Sequence, residues 1–86
     1  MKTIYKYPLV ITDLQTIQLP ISAVILTAKE QNGILQLWAE VETDNELEER
    51  IIEIFGSGNP IERHRRVYIA TIIQTIFVWH IYERMK

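Results

Sequence analysis

No cysteine occurs among the 86 residues, which excludes disulfides, thiolate zinc sites and cysteine nucleophiles. Histidine is scarce too: His64 and His80 stand alone, with no HExxH or His-x-x-x-His spacing. A metal would therefore need carboxylates brought in from elsewhere in the fold, and none is expected. Ser57 lies between glycines but not in a G-x-S-x-G elbow, and no G-x-x-x-x-G-K loop is present. No catalytic residue and no cofactor is expected on these grounds. Nine basic residues against eleven acidic ones leave a net charge of −2, which argues against binding bulk nucleic acid. Long hydrophobic runs are missing as well. The most apolar stretch, 67–82, is interrupted by Gln74 and His80 and falls short of the ~18 residues that a membrane span needs. The opening residues MKTIYKYPLVITD lack the apolar core of a signal peptide, so a cytoplasmic protein is expected.

What is present has the makings of one small globular domain. Apolar residues make up 48% and charged residues 23%, a balance typical of folded rather than disordered chains. A body of this size buries only roughly 60–65% of the surface that its unfolded chain exposes, so a lone copy has little stability to spare.

The pattern is that of strands. Between Val67 and Tyr82 every residue except Ala70, Gln74 and His80 is β-branched or aromatic, and such side chains pack better on a pleated surface than on a helix. The stretch is too long for one strand and breaks near Gln74-Thr75, giving strands over 66–73 and 76–84. In the second, Phe77, Trp79 and Ile81 share one face, and Val78, His80 and Tyr82 the other. Upstream, residues 23–30 and 34–42 flank Gln31-Asn32-Gly33, and Asn-Gly is the strongest short signal for a hairpin turn. The return strand alternates Leu35, Leu37, Ala39 and Val41 with Gln36, Trp38, Glu40 and Glu42, as expected of a sheet wetted on one side. Residues 3–7 read as a strand that Pro8 ends or confines to an edge, and 15–19 as a short strand stopped by Pro20. Residues 43–55 admit two readings. A capping box at Thr43 and Glu46 would start a helix; alternatively an acidic turn leads into a strand over 50–55. Six or seven short strands predict an all-β antiparallel sandwich or small open barrel, or a mainly β fold with one short helix.

One segment stands out for chemistry. Gly56-Ser57-Gly58-Asn59-Pro60 can bring backbone N–H groups close to an anion. It is followed by Arg63, His64, Arg65 and Arg66, whose guanidinium forks suit phosphate. The plainer reading makes this a connecting loop, with Arg65 and Arg66 paired to the acidic 42–49 stretch. Trp79 is expected to cover the core. Trp38, on the polar face of its strand, covers either a ligand's base or a partner surface, or caps the core's open edge. His80, among apolar neighbours, is expected to be a satisfied interior imidazole. Several strands are apolar on both faces, which one small sheet cannot hide, so a homo-oligomer is expected.

The chain also resembles a family of short, uncharacterised proteins of bacteriophages and the bacteria they infect. The likeness runs through Lys2-Thr3-Ile4-Tyr5-Lys6-Tyr7, Gln15-Thr16-Ile17-Gln18-Leu19-Pro20, Gln31-Asn32-Gly33, Leu37-Trp38-Ala39 and Ile54-Phe55-Gly56-Ser57-Gly58-Asn59-Pro60-Ile61. It ends at Val67-Tyr68-Ile69-Ala70-Thr71 and Val78-Trp79-His80-Ile81-Tyr82-Glu83. The resemblance favours the strand reading of 50–55, because the family's glycine loop follows an alternating strand. It implies a small accessory protein of the host cytoplasm. The expectation formed here is a non-enzymatic, oligomeric binder that sequesters an anionic nucleotide ligand, such as a host-defence signal. Gly56, Ser57, Gly58, Arg63, His64, Arg65 and Arg66 would hold its phosphates, with Trp38 or Trp79 stacking the base. The alternatives are a module that inhibits a host protein and a structural phage component.

Overall fold

The computed structural model describes residues 1–86. The chain is all-β, with seven strands: β1 Lys2–Leu9, β2 Leu14–Pro20, β3 Val24–Gln31, β4 Ile34–Glu42, β5 Leu47–Gly56, β6 Arg66–Gln74 and β7 Phe77–Arg84. Every pairing is antiparallel. The turns sit where the local chemistry asks for them. Asn32 and Gly33 both take positive φ, 54° and 82°, as a type I′ connection requires between β3 and β4. At the β6–β7 turn Thr75 takes φ 54°, an unusual conformation for a β-branched residue.

The strands form two sheets, ordered β1-β4-β3 and β2-β5-β7-β6, which face each other without closing into a barrel. The inward residues of β4, Leu35, Leu37, Ala39 and Val41, are fully covered. They meet Ile52 and Ile54 of β5, Ile72 of β6 and Ile81 of β7 in one cluster with Leu9, Leu19, Ala23 and Ala28. The sheets approach one another along β3 and β6, each of which carries a bulge there, at Leu26 and at Ile69. At the other end β1 and β2 remain separate edges. No helix is long and apolar enough to cross a membrane.

The helical option for 43–55 is overturned. Thr43 Oγ1 donates to the Met1 carbonyl at 3.1 Å, and Asn45 Nδ2 to the Ile21 carbonyl at 2.8 Å. These are turn contacts, and β5 then begins at Leu47, earlier than the 50–55 expected. The tertiary override is plain: Ile52 and Ile54 face the core, while Ile51, Glu53 and Phe55 face outward, a period of two that no helix could satisfy. Pro8 does not end β1; it lies within it, on an edge strand.

An ion pair braces one end of the body. Arg50 of β5 forks onto Glu83 of β7, with Nη2 2.9 Å from Oε1 and Nε on Oε2, while its Nη1 donates to the Ala23 carbonyl at 3.0 Å. The hydrogen bond that Arg50 donates to Glu83, which outweighs the burial that opposes it, holds the guanidinium above its ordinary range. This fork ties the four-stranded sheet to the residue just before β3.

Candidate functional site

Immediately after β5 the chain turns at Gly56–Pro60. The Ser57 N–H donates to the Val78 carbonyl at 3.2 Å and the Asn59 N–H to the Gly56 carbonyl at 3.1 Å. Gly58 has φ 90°, which only glycine adopts without strain. A Cβ on Gly56 would lie 3.1 Å from Asn59 Nδ2 and 3.4 Å from the Trp79 ring, so this glycine lets the turn rest against the indole.

The turn also sets Ser57 against His80. Ser57 Oγ lies 2.8 Å from His80 Nε2, and His80 Nδ1 lies 3.1 Å from Thr71 Oγ1, which in turn is 2.7 Å from the Tyr68 hydroxyl. The β6–β7 register produces the middle link by placing Thr71 opposite His80. Beside this polar line Tyr82 meets Tyr68 and Phe55 edge-on, at ring distances of 5.5 and 5.8 Å. A hydroxyl behind the imidazole orients the ring. It cannot stabilise an imidazolium as the carboxylate of a hydrolase triad does.

Charge is concentrated at the next step along the same outer face. The Glu53 carboxylate accepts from Arg66 Nε at 2.9 Å and from Arg84 Nη1 at 3.1 Å. Burial pushes the Glu53 carboxyl up, but the hydrogen bonds and charges of Arg66 and Arg84 together hold it below its ordinary range. Arg66 also donates to the carbonyls of Glu62 (2.8 Å) and His64 (3.4 Å) and lies over the Phe55 ring at 5.3 Å. These groups border an open depression of about 450 Å³, edged by Asp13, Asn59 and Pro60 as well.

The residues singled out in the sequence are thus divided among separate places. Gly56, Ser57 and Trp79 share a shallow groove of about 290 Å³ with Asn59, Ile76, Phe77 and Val78. Trp79 stacks on Phe77 at 5.5 Å and donates from Nε1 to Gln74 at 3.2 Å. Arg66 belongs to the neighbouring depression, and its partner is Glu53 rather than any acid of the 42–49 stretch. Arg63 and Arg65 are exposed and make no ion pair, and His64 Nδ1 donates to the Arg65 carbonyl at 2.9 Å. Trp38 lies across the molecule, on the outward face of the three-stranded sheet, opposite Lys6 in β1 and Thr27 in β3. Within a single copy, only Trp79 is near the glycine turn.

A family model covers residues 1–86 and is described as a domain of unknown function. The chain belongs to this family, DUF7352. No curated protein and no solved structure matches it.

In this DUF7352 chain two groups of site residues escaped the sequence reading. Thr71 and Tyr68 complete the Ser57–His80 line, and counting back from the Gln74-Thr75 break would have placed Thr71 opposite His80. Glu53, which takes up Arg66 and Arg84 together, left no comparable trace, since the meeting of the three depends on how three strands align.

Proposed function

We propose that this DUF7352 chain is a non-enzymatic protein-interaction module that works as an assembly of copies and holds another protein with the tip of its β6–β7 hairpin. The observation that carries this is exposed apolar surface at the hairpin tip: Ile76 is 89% exposed and Phe77 52%, with Ile73, 73% exposed, on the opposite face of the hairpin. A patch of this kind marks an association surface. The Phe77–Trp79 stack beside it provides the rigid aromatic anchor around which binding energy concentrates. The adjoining groove at Gly56 and Asn59 would take an apolar side chain of the partner. The hydroxyl-backed Ser57–His80 pair supports a non-enzymatic role. In the phage setting that the sequence resemblance implies, the partner is a cytoplasmic host protein.

The test is Ile76→Asp, which touches no core contact. The wild type should retain a discrete host protein on a column, and Ile76→Asp should lose it at an unchanged melting temperature. Equal retention by both would remove the hairpin tip as the binding surface.

A second reading, capture of an anionic nucleotide, draws on one specific observation. Arg50, Arg66 and Arg84 all have carboxylate partners, whereas Arg63 and Arg65 stand free in the segment that follows the glycine turn in sequence.

A further inference from the structure

The four-stranded sheet ends on β2, and this edge differs from the other three. Natural edges are protected against adding a further strand by charge, proline, bulges or cover. β1 has Lys2, Lys6 and Pro8. β3 and β6 are bulged and run beside each other. β2 reads Leu-Gln-Thr-Ile-Gln-Leu-Pro, with no charge, no bulge, and proline only at its last position.

The direction of its free groups follows from the ladder. The Ile54 N–H bonds to the Asp13 carbonyl and the Ile21 N–H to the Glu46 carbonyl. The register between these points has no shift, so Gln15, Ile17 and Leu19 face β5. Leu14, Thr16 and Gln18 therefore turn both N–H and C=O outward, with no strand beyond them. Pro20, which has no N–H, also faces out.

We infer that β2 is a homodimerisation edge, pairing antiparallel with β2 of a second copy about a two-fold axis at Thr16. This inference deepens the reading of an assembly of copies and uses residues remote from the hairpin tip. With Thr16 on the axis, Leu14 pairs with Gln18 of the second copy, and all three N–H and all three C=O groups of each edge are satisfied. An axis at Ile17 would instead set Leu14 against Pro20, which has nothing to donate.

Charge and apolar surface fit the same axis. Leu14 lies beside Glu53, and Gln18 beside Glu49. In the dimer Glu53 and Glu49 of the second copy stand three strand spacings apart, about 14 Å, beyond the reach of repulsion at physiological salt. The two ends of β2 are greasy: Val10 and Ile11 are exposed at one, Ile21 and Leu47 at the other. Antiparallel pairing brings unlike ends together, so each copy's Val10–Ile11 corner covers Ile21 and Leu47 of the second copy. A bare edge buries too little for the ~1,200 Å² of a stable interface, and these corners make up the difference.

Sedimentation or light scattering across a dilution series tests this. Wild type should run at twice the 10.2 kDa chain mass, and its Leu14, Thr16 and Gln18 amides should exchange slowly with deuterium. Thr16→Lys and Thr16→Glu, each of which puts like charges on the axis, should each run as single chains with those amides exposed. Mixing the two variants should restore the dimer mass, which also shows that both fold. A wild type that runs as one chain at every concentration, or a Thr16→Lys protein that still dimerises, overturns the inference. Ile76→Asp should leave the dimer intact, so loss of the dimer and loss of partner capture separate the two readings.

Discussion

Arg66 donates from Nε to Glu53 Oε1 at 2.9 Å, and this pair is nearly closed to solvent, with side-chain exposures of 10% and 6%. The basic run at 63–66 therefore contains one structural cation. Arg66→Ala leaves Glu53 with Arg84 as its remaining cation, so the fold should lose about 1.5–3 kcal/mol, the scale of a hydrogen bond to a charged group. Urea denaturation reads this directly.

The same carboxylate sets the acid limit. Glu53 is held below its ordinary 4.5, so in the folded state it resists protonation. Its contribution is complete above the unfolded value and lost as pH falls through the lower folded one. Melting temperature should be level from neutrality down to about pH 5 and then fall. Glu53→Gln should melt lower at pH 7 and show a shallower acid decline. A decline as steep as that of the wild type would assign it to other carboxylates.

Arg50 makes its contacts with a fork that lysine lacks: Nη2 and Nε on Glu83, Nη1 on the Ala23 carbonyl. Arg50→Lys keeps the charge and loses the geometry. A loss of about 2 kcal/mol is expected, at the scale of a hydrogen bond to a charged group. The denaturant midpoint should shift with the slope unchanged. A neutral result would mean that charge alone ties the sheets at this end.

Much of this architecture was legible because it depends on short-range periodicity. Leu35, Leu37, Ala39 and Val41 alternate with polar neighbours, and each is fully buried. Asn32-Gly33 and the Gln74-Thr75 break mark turns whose positive φ values are local matters. The start of β5 was less legible, because Thr43 and Glu46 mimic a helix cap until Met1 and Ile21, distant in sequence, claim the turn. The candidate site was the least legible. Arginine in a run reads as free charge, yet Arg66 meets Glu53 only through the alignment of β5, β7 and β6. Trp38 parted from Trp79 for a similar reason, since sheet membership depends on topology rather than on local pattern.

Thr75 stores strain at the hairpin tip. A β-branched residue at φ 54° suffers crowding that glycine avoids. Its Oγ1 bonds only to the adjacent Gln74 carbonyl, at 2.7 Å. Thr75→Gly should therefore raise stability by about 1 kcal/mol, read as a higher melting temperature. A lower one would show that the threonine hydroxyl fixes the turn more firmly than its backbone resists it.

Arg63 and Arg65 separate structure from ligand capture. Both are exposed and unpaired, so Arg63→Ala/Arg65→Ala should stay within about 0.5 kcal/mol of wild type, in contrast to Arg66→Ala. The nucleotide reading then makes a clean demand. A panel of cyclic and linear nucleotides should contain one that raises the wild-type melting temperature, since a ligand that binds only the folded state stabilises it. The double variant should lose that rise while melting normally in its absence. Trp79→Ala should weaken the same rise through lost stacking, worth about 1–3 kcal/mol per base. Trp38, on the other sheet, should matter only where an assembly brings it to the turn of another copy. If no nucleotide shifts the wild type, the two arginines have no anion of this class to hold. If the rise survives in the double variant, the phosphate lies elsewhere.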